Sequence, residues 1–151
     1  MTYRYFEDFH PGETLALGNR GISEAEITAF ARDYDPQSFH IDAEAARHSA
    51  FGGLVASGWH SCAIFMRLLV DGLLKESSAL ASPGVDEIRW LKPVRPGDAL
   101  SVRITFTGTR RSKSRPDRGF AGADIEILNQ DDEVVMTLKT TLYLLAREPA
   151  A

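Results

Sequence analysis

A single cysteine, Cys62, stands in the 151 residues. That excludes an intrachain disulfide and suits a reducing compartment. The longest apolar run, AIFMRLLVDGLL, is broken by Arg67 and Asp71 and is too short to span a bilayer. The opening MTYRYFEDFHPGE has no basic head, apolar stretch or small-residue cleavage site of a secretory leader, so a cytoplasmic location is expected. Positive charge is not in excess: 17 Lys and Arg against 21 Asp and Glu leave a net −4. Neither nucleic acid nor an anionic membrane is therefore expected as a partner. GxGxxG, GxxxxGK[ST] and GxSxG are all missing, which disfavours dinucleotide, nucleotide-triphosphate and serine-hydrolase chemistry. The four histidines, His10, His40, His48 and His60, follow no metal-ligand spacing, so no metal site is expected.

What is present fits one soluble domain over residues 1–151, with 44% hydrophobic and 25% charged residues. The first 21 residues read as extended, with HPGE as a turn. SEAEITAFARDY reads as a helix: Ser23 and Glu26 form a capping box, and Ile27, Phe30 and Ala31 share a face. Pro36 ends it, because the residue before a proline is pushed out of the helical region. DAEAARHSA reads as a short helix beginning near Asp42, and the glycines of FGGLVASG mark a backbone that something approaches closely. From Ser57 or Gly58 to about Leu74 runs a helix apolar on nearly every side, expected to be wrapped by other structure. Beyond residue 84 the period changes to two. VDEIRWLKPV, ALSVRITFTGTRR, FAGADIEILN and EVVMTLKTTLYLLA read as strands, with NQDDE as a hairpin turn. A long apolar helix followed by an antiparallel meander predicts an α+β fold with the sheet curved around the helix. Its open sheet edge predicts a homodimer or a larger homo-oligomer.

Three places carry candidate chemistry. The stretch DYDPQSFHID follows the first helix, and its Asp33 and His40 are a carboxylate and an imidazole that can share one water. On spacing alone a capped turn with a surface histidine is the simpler reading. Gly58, if it opens the central helix with Ser57 as N-cap, presents a backbone N–H at the positive end of the helix dipole, suited to polarising a carbonyl. A simple tight helix entry would look the same. RRSKSRPDRG gathers Arg110, Arg111, Lys113, Arg115 and Arg118 around Ser112 and Ser114; it suits a phosphate group, or is a solvated hairpin end. Cys62 reads as a buried thiol and His60 as a packed residue near the helix start.

In this order, FARDYDPQSFHIDAEAA, FGGLVASGWH, VDEIRWLKPVRPGD and SKSRPDRG, with YFEDFHPGE ahead of them, resemble the MaoC-like dehydratases, the (R)-specific enoyl-CoA hydratase family of the hotdog fold. The likeness runs through nearly the whole chain. It implies syn addition of water to a trans-2-enoyl-CoA, or the reverse, with no cofactor besides the CoA of the substrate. Asp33 and His40 would hold and activate the water, with Asp35 orienting from behind. Gly58 would supply the oxyanion N–H. Ser57, Trp59, Arg111, Ser112, Lys113, Ser114 and Arg115 would contact the acyl-CoA, the last five at its phosphates. The loop departs from the short family motif, an Asp, two residues, Pro, one residue and His. Here three residues separate Pro36 from His40, and Asp35 precedes the proline where the short form has Asn. The same fold also suits an acyl-CoA thioesterase or a non-catalytic acyl-CoA-binding protein, so these alternatives stand beside the lyase.

Overall fold

A computed structural model describes residues 2–148. After a 3-10 turn at Phe6–Asp8 come strand β1 (Thr14–Gly21) and helix α1 (Glu24–Tyr34). Two short helices follow, α2 (Ser38–Ile41) and α3 (Ala43–Arg47), then the central helix α4 (Gly58–Gly72). Strands β2 (Val85–Trp90), β3 (Ala99–Arg111), β4 (Arg118–Leu128) and β5 (Val134–Leu145) complete one antiparallel sheet in the order β1-β3-β4-β5-β2. The meander β3-β4-β5 is the expected one. β2, by contrast, crosses to pair with β5 instead of its chain neighbour β3, and so forms a sheet edge.

Alternation in the strands builds the core. Leu100, Val102, Ile104 and Phe106 of β3 face the same way as Ala121, Ala123, Ile125 and Ile127 of β4, and all are buried. Ile64, Phe65, Leu68 and Leu69 of α4 pack into that face, each side chain contributing about 1.5–3 kcal/mol by leaving water. β1 and α4 approach closely at Gly18. Its φ is +57°, and a Cβ there would lie 2.6 Å from Leu68 Cδ2, so only glycine meets both demands.

One expectation changes. α4 is not enclosed on every side by its own chain, for Trp59 and Met66 are 57% and 49% exposed. The sheet covers only one side of the helix, and the exposed Trp59 meets Trp90 of edge strand β2, whose Val85 and Trp90 are also about half exposed. No helix among the described residues is long and apolar enough to cross a membrane.

The core makes a direct prediction. Phe106 is fully buried and meets Phe9 edge to face at 5.0 Å. Phe106→Ala should therefore cost about 3–5 kcal/mol, read as a lower urea midpoint.

Candidate active site

The site begins with the break after α1. Pro36 keeps Asp35 out of the helical region, and Asp35 has φ −154° and ψ 68°. The chain then makes one helical turn, α2, which places His40 inward at 6% exposure. Two bonds to Val55 clamp this turn: Val55 N–H donates to the Phe39 carbonyl at 3.1 Å, and His40 Nδ1 lies 2.6 Å from the Val55 carbonyl. A carbonyl can only accept, so Nδ1 carries the hydrogen and Nε2 is left for chemistry.

His40 Nε2 lies 3.3 Å from Asp35 Oδ2. The same carboxylate is held at both oxygens. Ser57 Oγ–H donates to Oδ2 at 2.6 Å and Gln37 Nε2–H donates to Oδ1 at 2.8 Å. The Ser57 bond holds the Asp35 carboxyl below the usual carboxylate range, against the opposing effect of burial; Gln37, and His40 when it carries a proton on both nitrogens, act in the same direction as Ser57.

Ser57 is also the N-cap of α4, its Oγ accepting the Trp59 N–H at 3.3 Å. The Ser57 carbonyl accepts from His60 and Ser61 N–H. Gly58, the first helical residue, keeps its N–H without a partner among the described residues and lines a cavity of about 500 Å³ together with Asp35 and His40. The cavity is otherwise mostly apolar, walled by Phe39, Phe51, Val55 and Met136, with Trp59 and Trp90 edge to face at 5.3 Å. A Cβ on residue 58 would come within 2.5 Å of the Trp90 indole, so glycine is what lets that ring lie against the helix start.

Two expectations are corrected. The structure does not bring Asp33 to His40: it stays exposed in the last turn of α1, away from the cavity, and Asp35 takes the position beside the imidazole. Proline fixes the residue immediately before it, while a residue two earlier is still helical and points elsewhere. The spacing held a signal for this, since Asp35 stands five residues before His40, the same separation as in the short family motif.

The basic hairpin is the second correction. Arg111, Ser112, Lys113, Ser114 and Arg115 do not line the cavity of their own chain. Arg111 is engaged by Glu7 at 2.9 Å and by the carbonyls of Pro116 and Glu148, and Ser112 is buried, accepting the Arg115 N–H. Register explains the separation: Met136 of β5 is at the cavity, whereas Arg118 pairs with Leu145, nine residues further, or about 30 Å along a strand.

Of the remaining candidates, Gly58 and Trp59 line the cavity, as do Phe39 and Phe51, while Leu54 is buried in the core. Ser57 is not in the wall but behind Asp35. Sequence reasoning missed Trp90, Gln37 and the Val55 carbonyl; the last carries no signal in residue type, being backbone. His60 is buried, stacked on Phe30 at 4.6 Å, and burial pushes its pKa down. Burial also pushes the Cys62 thiol up, which leaves it unreactive.

A helix packed against one antiparallel sheet, with a carboxylate–imidazole pair at the helix N-terminus beside a mostly apolar cavity, defines a hotdog domain. The chain belongs to the MaoC-like domain family, whose model matches residues 8–122. Among solved structures it is similar to a MaoC-like dehydratase from Rhodospirillum rubrum, at 43% identity and a TM-score of 0.90, covering 96% of this chain and 99% of that one. It is 35% identical over 103 residues, 68% of its length, to protein MaoC of Klebsiella aerogenes, spanning 30% of that protein. Mesaconyl-CoA hydratase of Cereibacter sphaeroides is 30% identical over 151 residues, 98% of this chain and 43% of that protein. The chain thus spans less than half the length of these two curated relatives.

The Asp35 contacts set a pH-dependence of stability. A carboxyl whose folded pKa lies below its unfolded one adds stability that is fully present well above the unfolded value of about 3.9 and vanishes as pH falls through the folded value. Asp35→Asn is thus expected to be less stable than the parent near neutral pH. The gap, followed by chemical denaturation at stepped pH, should close on acidification below about pH 4.

Proposed function

We propose that this domain adds water reversibly to a trans-2-enoyl-CoA to give a 3-hydroxyacyl-CoA of R configuration. The observation that carries the reading is the Asp35–His40 pair sharing one cavity with the unpartnered Gly58 N–H. The thioester carbonyl accepts from Gly58, where the α4 dipole favours negative charge. A water on the cavity side of the pair hydrogen-bonds to both Asp35 and His40 Nε2. Its oxygen bonds to C3 as the C2–C3 π pair moves toward the carbonyl and forms an enolate. The proton leaving the water passes to His40 Nε2, while Asp35, held ionised, stabilises the imidazolium. The enolate then takes that proton at C2 from the same face, which makes the addition syn and returns the pair to its starting state. Atoms balance with water and the enoyl thioester alone, so no further cofactor is invoked.

The family and the name of the mesaconyl-CoA hydratase relative support both hydration and the CoA thioester. A second copy is part of the proposal. Half-exposed Trp59 of α4 and Trp90 of edge strand β2 wall the cavity, and pairing β2 edges across a two-fold would cover this apolar surface and the open edge together.

The test is loss of enoyl-thioester absorbance with crotonyl-CoA. The parent should consume it without releasing thiol, and Asp35→Asn and His40→Ala should each lower kcat by about 10²–10⁴. Asp33→Asn should leave the rate unchanged. Thiol release would instead mark a thioesterase, and binding without turnover across a panel of enoyl thioesters would mark a binding protein. For the assembly, Val85→Lys is expected to move the sedimentation coefficient from that of a dimer to that of a monomer, by placing a charge on the β2 edge.

A further inference from the structure

Ser57 belongs to neither the cavity wall nor the reacting pair, yet it is fully buried and both functions of its hydroxyl are used. As acceptor it takes the Trp59 N–H, one of the amides a helix N-terminus leaves over. As donor it gives its only proton to Asp35 Oδ2, the oxygen that faces His40 Nε2. An alanine here would satisfy the packing and neither bond. The N-cap role by itself asks only for an acceptor, which Asp or Asn supplies as well; the donor role asks for a hydroxyl.

We propose that Ser57 is a positioning residue of the hydration reaction, tying the Asp35 carboxylate to the N-terminus of α4 so that Oδ2 stays opposite His40 Nε2 and the proton in transit is carried by His40. The inference rests on the hydratase reading above and adds a division of labour to it. With Gln37 holding Oδ1 and Ser57 holding Oδ2, the carboxylate is fixed in orientation and favoured in its ionised form, so the water's proton goes to His40. The bond also keeps two parts of the site in register, since the serine that fixes Asp35 is covalently next to the glycine that offers its N–H. Few other charges reach the carboxylate. His40 on α2 faces it, Asp33 on α1 is exposed, and Lys92, at the cavity rim, is engaged by Glu133.

The experiment follows the Asp35 carboxyl carbon by NMR across pH in the full chain, with Ser57→Ala and Ser57→Gly, and Asp35→Asn to assign the signal. Glycine is nearly as good an N-cap as serine but has no hydroxyl, so Ser57→Gly separates the proton donor from the cap and stands in if the alanine variant does not fold. The Asp35 midpoint should rise in both variants. Crotonyl-CoA hydration should lose kcat by about tenfold, as for one hydrogen bond to a charged group, with KM held, and the acid limb of the rate profile should move to higher pH. An Asp35 midpoint that stays put in both variants would overturn the proposal, as would a change confined to KM. The carboxyl titration needs no turnover: if the parent hydrates no thioester, the hydratase reading fails, while the midpoint still decides whether Ser57 controls Asp35.

Discussion

The site depends on one short hydrogen bond, from the Ser57 hydroxyl to the Asp35 carboxylate. Alongside the Val55 bonds that clamp the His40 turn, it joins the loop that Pro36 releases from α1 directly to the first turn of α4. Without it, Asp35 would be an acidic residue at a helix C-terminus, where the dipole disfavours a negative charge. With it, the same carboxylate is tied to the opposite kind of helix end, where a negative charge is welcome. The fold thus places one group across from two helix termini and lets the favourable one win.

This arrangement also settles how the positive end of α4 is shared. The Trp59 amide is satisfied by Ser57 Oγ, and the His60 and Ser61 amides by the Ser57 carbonyl. Asp35 receives its share indirectly, through the serine proton. Of these amides Gly58 N–H alone has no partner among the described residues, so a carbonyl entering the cavity would not compete with the carboxylate for the same donor. The glycine is needed twice over. It lets a ligand approach the backbone, and it makes room for the Trp90 indole that walls the cavity beside it.

Local signals made much of the fold legible. Ser23 caps α1 as its spacing foretold, accepting the Glu26 N–H at 3.1 Å, although Glu26 itself turns toward Arg20. Pro36 ends the helix, Asp42 caps α3 through Glu44 and Ala45, and the alternation of β3, β4 and β5 marks their buried faces. What the sequence concealed was non-local. The pairing of β2 with β5 depends on where the chain crosses after α4, which no short window encodes. The hairpin of Arg111 to Arg115 reads as a phosphate site by composition, but register puts it at the far end of the sheet. Asp33 and Asp35 each matched a spacing, three residues before Pro36 and five before His40, and the backbone at Asp35 decides between them; the Val55 carbonyl that fixes the imidazole has no residue-type signature at all.

The burial of the site is uneven, and that unevenness bears on specificity. Ser57 and His40 are fixed by bonds to rigid backbone and lie almost wholly out of water, so the positions of the reacting atoms are set before a substrate arrives. The rim of the cavity is walled by Phe51, Trp59, Trp90 and Leu91, which are 37–57% exposed. Side chains of this kind lose little by repacking against a different apolar surface. On the hydratase reading proposed above, discrimination among acyl chains would belong to the rim and to whatever surface covers it, and the chemistry to the loop and the helix end. A substitution at the rim can change what fits without touching the proton path, because no hydrogen bond of the Asp35–His40 pair runs through a rim residue.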